Sequence, residues 1–137
     1  MKPNKACPVV LRRQHGIVEI LAFAHPLAGL QLVKGNIEPN ETPAQAAVRE
    51  LAEEAGITNA HVIDDLGVWE SGYQGQVWSF HLCEVSQPLP DYWSFHTVDD
   101  GGHDFAFFWH PLEQVADECW HELFRGALFF LQRAVLG

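Results

Sequence analysis

Basic residues are scarce in this 137-residue chain: eight Lys and Arg stand against 18 Asp and Glu, which gives a formal net charge of −10. Nucleic acids and anionic membranes are bound through clustered Lys and Arg side chains. The composition therefore argues against a long nucleic-acid partner and against binding to a membrane surface. It leaves a small phosphate-bearing ligand open, provided that a divalent cation neutralises the phosphates.

Cysteine is scarce too, and its three positions, Cys7, Cys83 and Cys119, lie far apart in the sequence. No pair has the CxxC spacing that is typical of metal or redox motifs. We interpret the three cysteines as reduced, mostly buried thiols, which is the usual state of cysteine in a cytoplasmic protein.

Long apolar runs are absent as well. No stretch approaches the 18 or so consecutive apolar residues of a membrane-spanning helix, and residues 1–16 lack the apolar segment of a signal peptide. We therefore expect no membrane span and a cytoplasmic location. Apolar residues make up 47% of the chain, which is enough for a core, and no repeat or linker divides residues 1–137. The sequence predicts a single domain.

Hydrophobic patterning predicts six strands and two helices. The predicted strands are 7–13, 17–24, 30–34, 61–70, 76–85 and 104–109. The first helix begins after Thr42, because Thr42, Pro43 and Gln45 have the pattern of an N-cap with a capping box. It ends at Gly56, which suits a left-handed helix terminus. The second helix is predicted over 117–135.

Interleaved helices and antiparallel hairpins predict the α/β class, with an α/β/α sandwich around a mixed β-sheet. The apolar stripe of the second helix is wide, and Phe129 and Phe130 extend it. Core packing is the first explanation of this width, and a contact between two copies is the alternative. We therefore expect a monomer or a homodimer.

Carboxylates crowd the first helix, where Glu50, Glu53 and Glu54 fall on the arc opposite its apolar residues. Like charges three and four residues apart on a helix repel each other. A solvated helix face is the ordinary explanation. The alternative is a shared divalent cation such as Mg²⁺, which prefers hard oxygen ligands. Gly35, in the polar segment before the helix, would allow its main-chain carbonyl to approach the same ion.

The segment 35–57, GNIEPNETPAQAAVRELAEEAGI, decides between these alternatives. It resembles the Nudix box, G-x5-E-x7-R-E-U-x-E-E-x-G-U, where U is a bulky aliphatic residue. All fixed positions match: Gly35, Glu41, Arg49, Glu50, Leu51, Glu53, Glu54, Gly56 and Ile57. At ordinary residue frequencies a chance match of this kind is roughly a one-in-a-million event.

The resemblance implies the Nudix fold and a metal-dependent pyrophosphohydrolase that uses Mg²⁺ or Mn²⁺. Such an enzyme cleaves a diphosphate bond in a nucleoside diphosphate linked to another group X, as in a nucleoside triphosphate, a nucleotide sugar or a dinucleoside polyphosphate. It further implies metal-binding and catalytic roles for Glu50, Glu53 and Glu54, joined by the carbonyl of Gly35. Arg49 would orient a carboxylate, and either Glu50 or Glu53 would be the general base.

Outside the box the expectations are less specific. The family often has a further acidic ligand after the helix. In the segment 96–104, Asp104 is the best candidate; the alternatives are His103 or no further ligand, with the segment a solvated loop. Lys34 is a candidate phosphate ligand, and His103 a candidate substrate contact. Trp93, which we place in a loop, could stack on a base or pack in the core.

A different class of function is a catalytically weak nucleotide-sensing or interaction module on the same fold, since a fold does not fix a function. Such modules usually lose carboxylates of the box. This chain keeps all of them, which favours the enzyme.

Overall fold

The computed structural model describes residues 1–98 and 101–137 and contains eight strands and two α-helices in that part of the chain. The elements in chain order are β1 (Lys5–Gln14), β2 (Ile17–His25), β3 (Gly29–Gln31), β4 (Gly35–Asn36), α1 (Pro43–Ala55), β5 (Ala60–Glu70), β6 (Val77–Val85), β7 (Trp93–Thr97), β8 (His103–Pro111) and α2 (Glu122–Leu136). Asp99 and Asp100, in the predicted ligand segment 96–104, lie outside the described residues. No helix of the described ranges is long and apolar enough to cross a membrane.

The sheet is mixed, as predicted, and strand β1 is the reason. Residues 5–10 of β1 pair in parallel with β6, and residues 11–14 pair antiparallel with β2. The strand order is β5-β6-β1-β2-β8-β7, with β3 added on β2 and β4 added on β1. The predicted strand 30–34 is therefore wrong in its extent, because only its first part pairs with β2, and residues 35–36 pair separately with β1.

The two helices cover opposite faces of this sheet. Alternate residues of a strand point to opposite faces, and the neighbours Val9 and Val10 of β1 lie in different core clusters. Val9 belongs to the cluster that contains Leu128 of α2, and Val10 belongs to the cluster that contains Leu51 of α1. The predicted α/β/α sandwich is therefore confirmed.

Helix α1 begins and ends where the sequence predicts. The Thr42 hydroxyl accepts from the Gln45 amide at 3.1 Å, and the Gln45 side chain accepts from the Thr42 amide at 2.9 Å. These bonds satisfy two of the amides that a helix leaves unpaired at its start. Gly56 ends the helix at φ 73°, and a Cβ there would come within 2.7 Å of the Phe95 ring. Both ends of the helix are thus fixed, which holds its glutamates in place.

Helix α2 begins at Glu122, so the predicted start at 117 is wrong. Residues 119 and 121 use their backbone groups elsewhere: the Leu30 amide donates to the Cys119 carbonyl, and the His121 amide donates to the Leu30 carbonyl, both at 3.0 Å. Gly29 permits this close approach, because a Cβ there would lie 2.8 Å from the Cys119 oxygen. Residues 119–121 therefore belong to a segment that runs beside β3 and not to the helix.

The segment around Trp93, predicted as a loop, is strand β7 at the edge of the sheet, paired with β8. Trp93 stacks on Phe107 with ring centroids 5.0 Å apart, and its indole N–H donates to the Ala55 carbonyl at 3.1 Å. Core packing therefore accounts for Trp93. In α2, Phe130 likewise stacks on Phe80 at 5.0 Å, while Phe129 remains exposed.

Candidate active site

A cavity of about 640 Å³ opens beside the start of β4 and the outer face of α1. It brings together residues from β1, β2, the β3–α1 segment, α1, β8 and α2. The lining residues are Lys5, Phe23, His25, Gln31, Leu32, Lys34, Gly35, Asn36, Glu38, Arg49, Glu50, Glu53, Glu54, Phe105 and Phe124. The three glutamates, Arg49, Gly35 and Lys34 of the predicted site thus line one cavity.

Glu50 has an unexpected position within this site. The sequence places all three glutamates on the outer arc of α1, but Glu50 is only 5% exposed. Its carboxylate lies against the backbone of Gly35, so closely that a Cβ on residue 35 would overlap it. The prediction of an outward-facing Glu50 is therefore wrong, because β4 covers this part of the helix. Gly35 is required for this contact because it has no side chain.

Arg49 forms hydrogen bonds with three glutamates, Glu41, Glu50 and Glu53. Its Nε and Nη2 atoms donate to the two oxygens of Glu41 at 2.7 and 3.0 Å. Its Nη1 atom donates to Glu50 at 2.7 Å and to Glu53 at 3.1 Å. A further bond, at 2.7 Å, reaches the carbonyl of Asn36 in β4. One guanidinium thus fixes three carboxylates and the strand that covers them.

These contacts shift the pKa values of Glu41 and Arg49. Hydrogen bonds from Arg49 hold the pKa of Glu41 below its usual value. Hydrogen bonds to Glu41, and then to Glu50, raise the pKa of Arg49. Both changes favour the ionised forms of Glu41 and Arg49, so this ion pair is charged at neutral pH.

Two lysines also line the cavity and supply positive charge. Lys34 lies with its Nζ atom 5.3 Å from the Trp78 ring centroid and 5.6 Å from that of Phe124, and these cation–π contacts limit its positions. Lys5 donates to the side chain of Asn36. Sequence reasoning missed Lys5, because only the pairing of β1 with β4 brings it to the cavity.

The donors fit a magnesium-type ion in their chemistry. Three carboxylates and the carbonyl of Gly35 are hard oxygen ligands of the kind that Mg²⁺ and Mn²⁺ bind. Among residues 1–98 and 101–137, no three His, Cys, Asp or Glu side chains already form a compact metal-binding group. Arg49 instead supplies the positive charge between Glu50 and Glu53.

The remaining predicted residues lie at or beyond the margin of the cavity. Asp104 is 74% exposed in its side chain and pairs with His96 at 2.8 Å. It is the neighbour of Phe105 in β8 and so points to the opposite face of the sheet from that cavity residue. His103 lies beside the cavity, with its ring 4.8 Å from that of His25. Trp93 lies at the other end of α1, beside Ala55.

The chain is similar to known proteins in sequence and in fold. The NUDIX domain model matches residues 2–128. The 8-oxo-dGTP diphosphatase of Escherichia coli (strain K12) is 55% identical over 64 residues, which are 44% of this chain and 50% of that protein. The chain thus spans about half the length of this curated relative.

Solved structures extend the likeness to the whole fold. The crystal structure of an Ap4A hydrolase from C. elegans has a TM-score of 0.62 at 23% identity, with 100% of both chains covered. An ADP-ribose pyrophosphatase from Streptococcus suis 89-1591 has a TM-score of 0.61 at 15% identity, covering 96% of this chain and 92% of that one. At such identities the likeness is one of fold.

Proposed function

Because the chain belongs to the Nudix family, we propose that it is a metal-dependent pyrophosphohydrolase acting on a nucleoside diphosphate linked to another group X. The observation that carries the proposal is the packing of the Glu50 carboxylate against Gly35, inside a cavity that Glu53 and Glu54 also line. A buried carboxylate is costly unless it is paired or binds a metal. Glu50 is paired with Arg49, and its position against the Gly35 backbone in a cavity with two further glutamates supports an oxygen-ligand site.

The carboxylates of Glu50, Glu53 and Glu54 and the carbonyl of Gly35 would hold the Mg²⁺ or Mn²⁺. When bound, such an ion neutralises diphosphate oxygens and makes water more acidic. Glu50 suits a fixed ligand role, because it is buried and restrained by Arg49.

The other side chains bind and orient the substrate. Lys5 and Lys34, which line the same cavity, attract the phosphate chain. Arg49 restrains Glu53, which lines the cavity, through their 3.1 Å contact. Glu53 is 43% exposed in its side chain, so water can reach it, and we assign it as the acceptor of the water proton. The attacking oxygen then forms a bond to one phosphorus as the bridging P–O bond breaks.

The size and setting of the site suggest the partner. A cavity of about 640 Å³ lies within the range of roughly 300–1,000 Å³ that is usual for small-molecule sites. We therefore expect a small nucleotide-derived substrate.

We also propose a cytoplasmic location, because all three cysteines are free thiols. Light scattering on the purified protein distinguishes a monomer from a homodimer.

The test is product release from a panel of nucleoside triphosphates, nucleotide sugars and dinucleoside polyphosphates, each with Mg²⁺, Mn²⁺ or chelator. Turnover should require the metal. Glu53→Gln should retain the fold and lose about a hundredfold or more in turnover, which is the usual range for loss of a general base. Glu113→Gln, at an exposed carboxylate outside the cavity lining, is the matched control and should keep full activity.

Two results would contradict these assignments. Full activity of Glu53→Gln would remove this residue from the site. Nucleotide binding without turnover across the panel would favour the sensing module over the enzyme.

A further inference from the structure

The last turn of α1 carries two of the glutamates assigned to the metal and ends beside strand β7. Glu53 and Glu54 line the cavity, and Ala55 is the last residue of the helix. An α-helix has no internal partners for its last carbonyl groups. The carbonyl of Ala55 accepts the indole N–H of Trp93 at 3.1 Å. A side chain of β7 thus holds the backbone directly after the two glutamates.

The indole of Trp93 is in turn held by a stack of aromatic rings. It lies almost parallel to the ring of Phe107, with centroids 5.0 Å apart and planes inclined by 9°. Phe107 is 1% exposed, and its ring centroid lies 5.3 Å from that of Phe23. Phe23 stacks on Phe105 at 4.2 Å, and both line the cavity. The stack therefore connects the end of α1 with a wall of the cavity and leaves the indole few orientations.

Strand β7 makes a second contact with the same end of the helix. Phe95 follows Trp93 by two residues and so lies on the same face of the strand. Its ring packs against Gly56, where a Cβ would come within 2.7 Å of it. Packing of this kind has no preferred direction. The N–H bond is directional and therefore fixes where the Ala55 carbonyl points.

We propose that Trp93 is a positioning residue for the metal site: its bond to Ala55 holds the last turn of α1, and with it Glu53 and Glu54, in the orientation that binds the metal. The inference rests on the proposed function and gives Trp93 a role other than contact with the substrate. Successive turns of a helix are joined by hydrogen bonds, so a displacement of the last carbonyl also displaces the residues just before it. Ions such as Mg²⁺ require near-octahedral ligand geometry, and functional sites tolerate displacements of only about 0.5 Å.

Two variants separate the N–H bond from the aromatic stack. Trp93→Phe keeps a ring on Phe107 and removes the donor. Trp93→His removes the six-membered ring but keeps an N–H group, because Nε2 of histidine is as many bonds from the backbone as Nε1 of tryptophan. Trp109→Phe is the matched control. The indole of Trp109 also donates to a backbone carbonyl, that of Pro90 at 3.0 Å, and it lies outside the lining of the cavity.

The first measurement is amide hydrogen exchange in the metal-free protein, followed by NMR over residues 53–57. Exchange at a helix end reports its local opening. Trp93→Phe should accelerate exchange in this segment about fivefold, which is the effect of losing one hydrogen bond. Trp93→His and Trp109→Phe should leave it close to the wild-type rate.

The second measurement is Mn²⁺ binding, titrated by electron paramagnetic resonance through the signal of the free ion. Trp93→Phe should weaken binding about threefold to tenfold. This is less than the tenfold to hundredfold typical of residues that bond directly to a metal ligand, because Trp93 acts through the backbone. Trp93→His should bind Mn²⁺ like the wild type, although its smaller ring should make it the less stable of the two variants in urea. A role confined to packing would give the opposite order.

The proposal is overturned if Trp93→His is more impaired than Trp93→Phe, if Trp93→Phe keeps the wild-type affinity for Mn²⁺, or if Trp109→Phe changes both measurements equally. A wild type without Mn²⁺ binding or turnover, in which Trp93→Phe alone accelerates exchange, would contradict the proposed function and keep Trp93 as the anchor of the helix end. Metal-dependent turnover with no difference between the variants would contradict only the present inference.

Discussion

Replacing Gly35 by alanine tests the central contact of the site. The φ angle of Gly35 is not positive, unlike that of most glycines in the described residues. Its backbone therefore accepts an alanine without strain. The added Cβ would nevertheless overlap the carboxylate of Glu50. Since Gly35 is paired with Ala6 in the sheet, the carboxylate has to move rather than the strand.

The expected loss of stability follows from what Glu50 gives up. Overpacking a filled site typically costs about 1–3 kcal/mol, and the displaced carboxylate also weakens its 2.7 Å bond to Arg49. We therefore expect Gly35→Ala to lower the free energy of unfolding by about 2–3 kcal/mol. It should also weaken Mn²⁺ binding and turnover, because Glu50 is assigned as a metal ligand.

A double-mutant cycle with Glu50→Ala separates this cause from a general effect on β4. In the Glu50→Ala background there is no carboxylate to displace, so Gly35→Ala should cost little. Urea unfolding of the four proteins should give a coupling of about 2 kcal/mol or more between the two sites, since the coupling is the difference between the two costs of Gly35→Ala. An equal cost of Gly35→Ala in both backgrounds would refute the steric reasoning.

Two further predictions concern titratable groups. Glu41→Gln should cost about 1 kcal/mol of stability at neutral pH. The pKa of Glu41 is lowered by its hydrogen bonds with Arg49, so this stability is present above the ordinary Glu pKa and is lost as the pH falls through the lower folded value. The difference from wild type in urea unfolding should therefore shrink as the pH falls below the ordinary Glu pKa. A thiol reagent at mildly alkaline pH should modify exposed Cys119 in the native protein and all three cysteines after unfolding. Burial raises the pKa of Cys83 to about 11 and that of Cys7 as well, so rapid modification of either in the native state would contradict their placement.

Local signals predicted most of the secondary structure. Thr42 and Gly56 mark the ends of α1 because caps depend on residues close in sequence. The loop predicted around Trp93 failed because pairing with β8, which is distant along the chain, makes residues 93–97 a strand. The start of α2 failed for the same reason, since Leu30 takes the backbone bonds of residues 119 and 121. Long-range pairing overrides local preference at these positions.

In the candidate site, too, residues with a local sequence signal were predicted and residues placed by long-range pairing were not. The box predicted the carboxylates, Arg49 and Gly35, because their spacing lies within one helix and the segment before it. Lys5 and His25 come from β1 and β2 and carry no local signal of their own. The burial of Glu50 could not be read from helix periodicity, since it depends on the two-residue strand β4 lying over the helix.

The small number of basic residues affects the charge of this cavity. Of the eight Lys and Arg in the chain, three line it: Lys5, Lys34 and Arg49. The same lining has four glutamates, so the formal charge of its described Lys, Arg and Glu side chains is still negative. A phosphate chain would thus meet a wall that repels it, and Arg49 is already engaged with carboxylates. A divalent cation held by these carboxylates would reverse the sign of the local charge. The cation would then attract the phosphates that the carboxylates alone repel. Metal dependence should therefore appear in substrate binding as well as in turnover.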